Sequence, residues 1–472
     1  MRQQPIGAGV RCRPVRSGAP PLALRTLAKD NDQPTTAIGA LQRLPLPEGT
    51  LPVGVGLIVA GVSSYAFFKI GKSALGDEDF KPISSLWFAV FFLAPGFFLP
   101  LEQELGRALA HRRAVDQGGQ PVVRRIIPLA LVLAAIVSIT ILIASAKITD
   151  NFFDGDWVVT AALVVGFLAY LPVHLARGIC SGHGRFASYG IVMGSDGATR
   201  IVGCTILWAA GVKTIGAYAF VVALAPLVGV TIVLIRRQLV TDPGPPAPWT
   251  EVTPNLGWLL LGSVFAAGLV NAGPIVVDLL ADKGMANLVT WFGSGVLLGR
   301  IPLFLFQAVQ AALLPRLAGL IGRGELVEFR QGFRKLLIVV MGVASLGVVG
   351  SAAVGPFLLR KVFQADLSTR TVTMLAIGSG VYMIALTFAQ AVIALHGHSL
   401  VAIGWLVGMI TFAAVTWLSS KDVFLRVELG LVASSVAAAL MFAGALRYRL
   451  AVDTGPDVGS LLEATSDVPY EV

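Results

Sequence analysis

Apolar runs of about 20 residues recur along this chain, each long enough to cross a bilayer. Twelve are legible, at roughly 51–75, 83–105, 124–147, 157–180, 186–210, 214–236, 256–281, 287–314, 333–358, 371–395, 399–419 and 424–446. A bilayer core offers backbone groups no water, so such runs must satisfy their own hydrogen bonds, as helices do. The chain is 55% hydrophobic and 13% charged, about half the charged share of a soluble domain. The class is an integral membrane protein. The expected fold is all-α and polytopic, with twelve transmembrane helices. Fifty-two glycines fit helices that pack closely in lipid.

The ends are polar. Residues 1–48 carry seven Lys and Arg among Pro and Gly and read as a disordered basic tail. They lack the apolar core of a signal peptide, so no cleavage is expected. Residues 451–472 read as an acidic disordered tail. Lys and Arg set the orientation. With both termini in the cytoplasm, 23 fall on inner segments and 11 on outer ones, leaving Arg200 and Arg300 inside spans. The net charge of +9 belongs to cytoplasmic loops, and no nucleic-acid partner is expected. Plasma-membrane residence follows from the same reading.

The Pro-rich stretch 237–254 separates six spans (49–236) from six more (255–450). An even number puts both halves in the membrane from the same side, so a repeat would turn about the membrane normal. Two short matches support one. Ala176–Arg185 closes span 4 and Ala389–His398 closes span 10, at an offset of 213. Leu105-Gly-Arg107 follows span 2 and Leu314-Pro-Arg316 follows span 8, at an offset of 209.

Span 2 ends unusually. Phe91 to Ala114 reads FFLAPGFFLPLEQELGRALAHRRA. Pro95 and Pro100 free backbone carbonyls, and Glu102 and Glu104 then arrive with Arg107. Such groups at membrane depth must face protein or a wet cavity. The two carboxylates are inner-mouth candidates, and Arg107 is their nearest partner.

Charged residues inside spans are functional candidates by default. Arg300 lies near the middle of span 8, too deep to snorkel to either surface. Gly293, Arg300, Gln307 and Ala311 share a helical face, a small and polar groove suited to a cavity wall. Asn271 of span 7 sits near the depth of Arg300. Asp278, on the same face, reads as a hydrated carboxylate at the outer rim. Asp196 and Arg200 are four apart on one face of span 5, as a structural ion pair or a functional one. His174 reads as a hydrogen-bonded core residue.

Other chemistry is excluded. Ala66–Ser73 fits a loose phosphate-loop pattern, but that loop must join a strand to a helix, and here it caps an apolar span. Three cysteines make no disulfide framework. The histidines have no metal-ligand spacing. Neither catalytic residues nor a cofactor or metal is expected, and the chain does not read as an enzyme.

The twelve-span body, the APGFFLPLEQELGR stretch and the GRIPLFLFQAVQAALLPRLAG stretch resemble the polysaccharide-type (Wzx-like) flippases. These belong to the multidrug/oligosaccharidyl-lipid/polysaccharide exporter superfamily, here in an actinobacterial form. The resemblance spans about Leu51 to Leu450. It implies two pseudo-symmetric six-helix bundles around a V-shaped central cavity. It also implies export of a lipid-linked oligosaccharide or polysaccharide precursor from the inner to the outer leaflet without ATP, by alternating access. Basic side chains would hold the diphosphate, with Arg300 and Arg200 as candidates. Arg offers a permanent charge and a fork matched to phosphate oxygens. The implied partners are the lipid bilayer, the lipid-linked glycan, a glycan polymerase and glycosyltransferases.

Two alternatives stand beside this reading. A multidrug or cation antiporter of the same superfamily needs a membrane carboxylate that cycles protons or sodium. The first span has none, and Asp196 is the deep candidate. A non-transporting membrane scaffold is the weaker alternative.

Overall fold

The computed structural model describes residues 50–253, 255–281, 285–303, 306, 320 and 324–452. The expected N-terminal tail, and all but the first two residues of the C-terminal one, lie outside them. In chain order the helices are α1 (Thr50–Ala114), α2 (Gln120–Ile143), α3 (Ser145–Phe152), α4 (Trp157–Gly182), α5 (Phe186–Ala209) and α6 (Ile215–Ile235). After the Pro-rich stretch come α7 (Trp249–Val252), α8 (Leu256–Leu280), α9 (Ala286–Gly299) and α10 (Leu326–Leu358). A π-helical turn, Leu359–Phe363, precedes α11 (Thr369–Ala394), α12 (His398–Leu418) and α13 (Val423–Val452). No strand occurs among the described residues.

Helix α1 is two spans joined at Gly76, whose φ of 83° and ψ of 176° fall in a region open essentially to glycine alone. The two arms fold onto each other through aromatic rings. Phe67 stacks on Trp87 at 4.9 Å, and Phe68 meets Phe80 edge-on at 5.3 Å. Nine helical stretches of the described residues are long and apolar enough to cross a membrane. Counting both arms of α1, and adding α5 and α9, brings the spans to twelve. Helix α5 is the polar one, with Ser195, Asp196, Thr199 and Arg200 in its middle. Helix α9 is short because the helix breaks at Arg300.

Helices α1 to α6 pack among themselves, and α8 to α13 do the same. The second arm of α1 joins the two groups, lying antiparallel to α8. Ser85 faces Asp278, Phe91 faces Asn271, and Pro95 faces Ser263. Gly96 lets the backbones approach: a Cβ there would lie 3.5 Å from the Val264 Cα.

The Pro-rich stretch is folded down onto the first group. The Gln120 amide donates to the Asp242 carbonyl at 3.0 Å. Gly118 and Gly244 touch backbone to backbone, so a Cβ on Gly118 would stand 1.9 Å from the Pro243 oxygen. Ala247 and Val252 are buried against Leu105, Leu109 and Val122. The two repeat motifs each end a helix, at Gly182 of α4 and Ala394 of α11.

Candidate functional site

Two prolines organise the middle of the interface. A proline lacks the N–H that would bond the carbonyl four residues earlier. Pro95 therefore frees the Phe91 carbonyl, and Pro274 frees that of Val270. The Asn271 side-chain amide donates to the Phe91 oxygen at 3.1 Å and to its own Ala267 carbonyl at 2.9 Å. The Arg300 guanidinium donates to the Val270 oxygen and to Asn271 Oδ1 at 3.3 Å. One polar chain thus runs from the first group of helices through Asn271 to Arg300.

Arg300 is not in mid-helix. It is the C-cap of α9, its amide bonded to the Leu297 and Leu298 carbonyls. The expected continuous face through Gly293, Arg300 and Gln307 is interrupted there, and Gln307 lies outside the described residues. Broken helices at membrane depth are tolerated where they line protein or a cavity. Arg300 lines one, with Leu269, Val270, Val296, Leu303, Leu375, Ser379, Tyr382, Leu431 and Ser435 among its neighbours. The space is about 40 Å³, room for about three waters. The guanidinium also lies 5.6 Å from the Phe88 ring centre. Two of its five N–H donors are engaged in these bonds, and no carboxylate pairs with it among the described residues.

Arg200 is different. It is 2% exposed and paired with a carboxylate through Nη2, while its buried Nε has no hydrogen-bond partner among the described residues. Its guanidinium meets Asp196 and donates to the Tyr170 hydroxyl at 3.0 Å. Tyr170 in turn donates to Asp196 Oδ2 at 3.0 Å. The rings of Trp87 and Phe91 lie 4.8 and 5.4 Å from the guanidinium carbon. Charge and faces are both matched, as a buried cation requires.

The two carboxylates at the end of span 2 part company. Glu104 pairs with Arg107, Nη2 to Oε2 at 2.9 Å. Glu102 turns inward and is 4% exposed. His174 Nδ1 lies 2.7 Å from its Oε2. The Tyr189 hydroxyl donates to Oε1 at 3.0 Å, and Arg177 stands 3.1 Å away. Arg177 lies in the last part of α4, with its side chain 11% exposed. Tyr189 carries no signal beyond its position in a span, so sequence reasoning missed it.

Asp278 overturns its reading as a hydrated rim group. It is 5% exposed, accepts from the Ser85 hydroxyl and pairs with Lys81 at 3.1 Å. Its helix turns it onto the second arm of α1, away from water. The spacing in α8 shows only which face Asp278 shares, not what covers that face.

Among the described residues no group of three or more His, Cys, Asp or Glu is placed to hold a metal. No family model matches the chain. Uncharacterised proteins of Mycobacterium bovis and Mycobacterium tuberculosis are each 24% identical over 373 residues, covering 75% of this chain and 81% of their own. Among solved structures, MATE in complex with MaL6 gives a TM-score of 0.64 at 15% identity, covering 85% of this chain and 95% of that one. An outward-facing multidrug resistance MATE family transporter of the MOP superfamily gives 0.62 at 14%, covering 85% and 94%. Its inward-facing counterpart gives 0.62 at 13%, covering 88% and 98%. The chain has the fold of the MATE transporters of the MOP superfamily, and its likeness to them is one of fold.

Proposed function

We propose that the chain is an exporter that moves a lipid-linked oligosaccharide or polysaccharide precursor across the plasma membrane by alternating access. Both termini and the Pro-rich stretch lie in the cytoplasm. The observation that carries the reading is Arg300, a guanidinium at membrane depth with a cavity beside it and, among the described residues, no carboxylate partner. A diphosphate supplies the missing charge and accepts bonds from the fork. The lipid tail stays in the bilayer while the head enters between the helices. The cavity is too small for a glycan head, so loading requires the two groups to part. Arg200 and Asp196 neutralise each other and hold α5 in place beside this path. Glu102, Glu104 and Arg107 stand at its inner mouth. Glycosyltransferases and a polymerase would act before and after the step.

Arg300→Ala should abolish glycan export while folded protein stays in the membrane. Each lost charge-assisted bond is worth about 1.5–3 kcal/mol, a ten-fold effect or more. Arg300→Lys should rescue in part, since the fork is gone. Normal export by a stably expressed Arg300→Ala protein would remove the residue from the mechanism.

The second reading, a multidrug or cation antiporter, draws on the outward- and inward-facing MATE transporters that share the fold. It assigns proton or sodium cycling to Asp196. Drug efflux that collapses in Asp196→Asn, with no change in glycan export, would favour it.

A further inference from the structure

The two groups of helices are tied together by charge at the Gly76 end. Lys81, on the second arm of α1, has its ammonium 3.1 Å from Asp278 of α8 and 2.6 Å from Asp154. Asp278 belongs to the second group. Asp154 belongs to the first, in the turn between α3 and α4. The Asp278 side chain is 1% exposed, that of Lys81 11%, and that of Asp154 52%. Ser85, one turn along from Lys81, donates to the other Asp278 oxygen.

A second tie lies beside the first. Asp77, next to the Gly76 turn, accepts from the Trp291 indole at 3.0 Å. The Thr290 hydroxyl donates to the Asp77 carbonyl at 3.1 Å. Lys72 pairs with Asp77 at 2.7 Å and donates to the Phe363 carbonyl at 2.6 Å. Thr290, Trp291 and Phe363 are all in the second group. Farther along, the hydrogen bonds between α1 and α8 among the described residues come from neutral groups, at Asn271 and Ser263.

We infer that Lys81 and Asp278 form a latch that closes the transport path at the Gly76 end and breaks once in each cycle. The inference rests on alternating access and, for which side the latch faces, on the proposed orientation. The geometry provides for reversibility. When the groups part, Lys81 keeps Asp154, which moves with it, so the ammonium is never left alone. Asp278 parts from Lys81, its cation among the described residues, and enters the water that fills the gap. Closing therefore recovers an ion pair without stranding a charge in either state, which a buried pair with no second partner would do.

Ser84 reports the state of the latch. It is 2% exposed and covered by α9, where a Cβ on Gly293 would stand 2.9 Å from its hydroxyl. The test uses the full chain in whole cells, with Cys12→Ala, Cys180→Ala, Cys204→Ala and Ser84→Cys, and a membrane-impermeant thiol reagent. Lys81→Met should speed labelling about ten-fold or more, because it leaves the buried Asp278 carboxylate with the neutral Ser85 hydroxyl and no cation among the described residues. Asp278→Asn should speed it less, because the amide keeps a bond to Ser85. Lys81→Arg should stay close to the parent rate. Asp154→Asn should also stay within about two-fold of the parent rate, since that pair lies inside one group. Each variant is checked for folding by its melting temperature in detergent, and Asp278→Asn stands in if Lys81→Met does not fold. Unchanged labelling in folded Lys81→Met or its stand-in, or an equal rise in Asp154→Asn, overturns the latch. The same pattern seen only in inverted vesicles upholds the latch and overturns the orientation.

Discussion

The Asn271 side chain caps the Phe91 carbonyl at 3.1 Å, the group that Pro95 leaves without its helical partner. Two sequence features 176 residues apart in the chain thus meet as one hydrogen bond. A proline in a membrane helix is tolerated where a neighbour satisfies the freed group. Here the neighbour belongs to the other half of the protein, so the carbonyl freed by Pro95 also fixes the register of α8. Arg300 does the same for Val270 and Pro274.

That relationship can be measured as a coupling. Asn271→Ala should destabilise the protein by about 1–3 kcal/mol, the consequence of leaving a buried acceptor unsatisfied. Pro95→Ala restores the N–H that bonds Phe91 within its own helix. In that background Asn271→Ala should do much less harm. A double-mutant cycle on unfolding in detergent gives the coupling directly. Additive effects would mean that the two residues act apart.

Arg200 and Arg300 should fail differently. Arg200→Met leaves Asp196, whose side chain is 14% exposed, with Tyr170 as its partner among the described residues, and breaking a largely buried pair is worth about 3 kcal/mol or less. Arg200→Met with Asp196→Leu removes both charges and should restore most of the stability. Arg300 has no carboxylate to strand among the described residues, so Arg300→Met should lose export with a smaller loss of stability. Melting temperatures of the three proteins test this. Equal losses for the two single variants would remove the distinction.

Much of the fold was legible because lipid makes few demands and makes them everywhere. Twelve runs of the right length implied twelve helices, and the prolines after Phe91 announced a stretch that needed partners. The partners themselves were not legible. Nothing in the spacing of α8 says that Asp278 meets Lys81, or that Glu102 rather than Glu104 turns inward to His174. Those choices depend on which helices become neighbours across hundreds of residues. The helix break at Arg300 did leave a mark, in Gly299 before it and Pro302 after it, residue types that end helices, and the expected face through Gly293, Arg300 and Gln307 ran across both.

The Pro-rich stretch should behave as part of the first group of helices and not as a loose strap. Arg112 holds Glu251 through two bonds, of 2.5 and 2.9 Å, and also donates to the Pro245 and Gly118 carbonyls at 2.8 and 2.9 Å. Arg107 adds a bond to the Glu251 carbonyl at 2.6 Å. Glu251→Ala removes the fork-to-fork contact, worth about 1.5–3 kcal/mol for a charge-assisted pair. Limited proteolysis between Arg236 and Thr253 should then quicken about ten-fold. An unchanged rate would show that the proline backbone alone keeps the stretch docked.

Gly76 should tolerate no side chain, and the reason is its backbone alone. No atom lies within 4 Å of a Cβ built there, so a clash with a neighbour plays no part. With φ at 83° and ψ at 176°, the conformation is closed to L-residues and straining one into it costs about 1–3 kcal/mol. Gly76→Ala should therefore lower the melting temperature in detergent. Gly76→Asn should lower it just as far. Asparagine is tolerated in the ordinary left-handed helical region, where ψ is near +47°, but ψ at Gly76 is far from that value. The turn carries Asp77 against Trp291 and Lys72, so strain there should also quicken labelling of Ser84→Cys. Rescue by asparagine would mean that the turn relaxes into the left-handed helical region, and the expected equality of the two variants would fail.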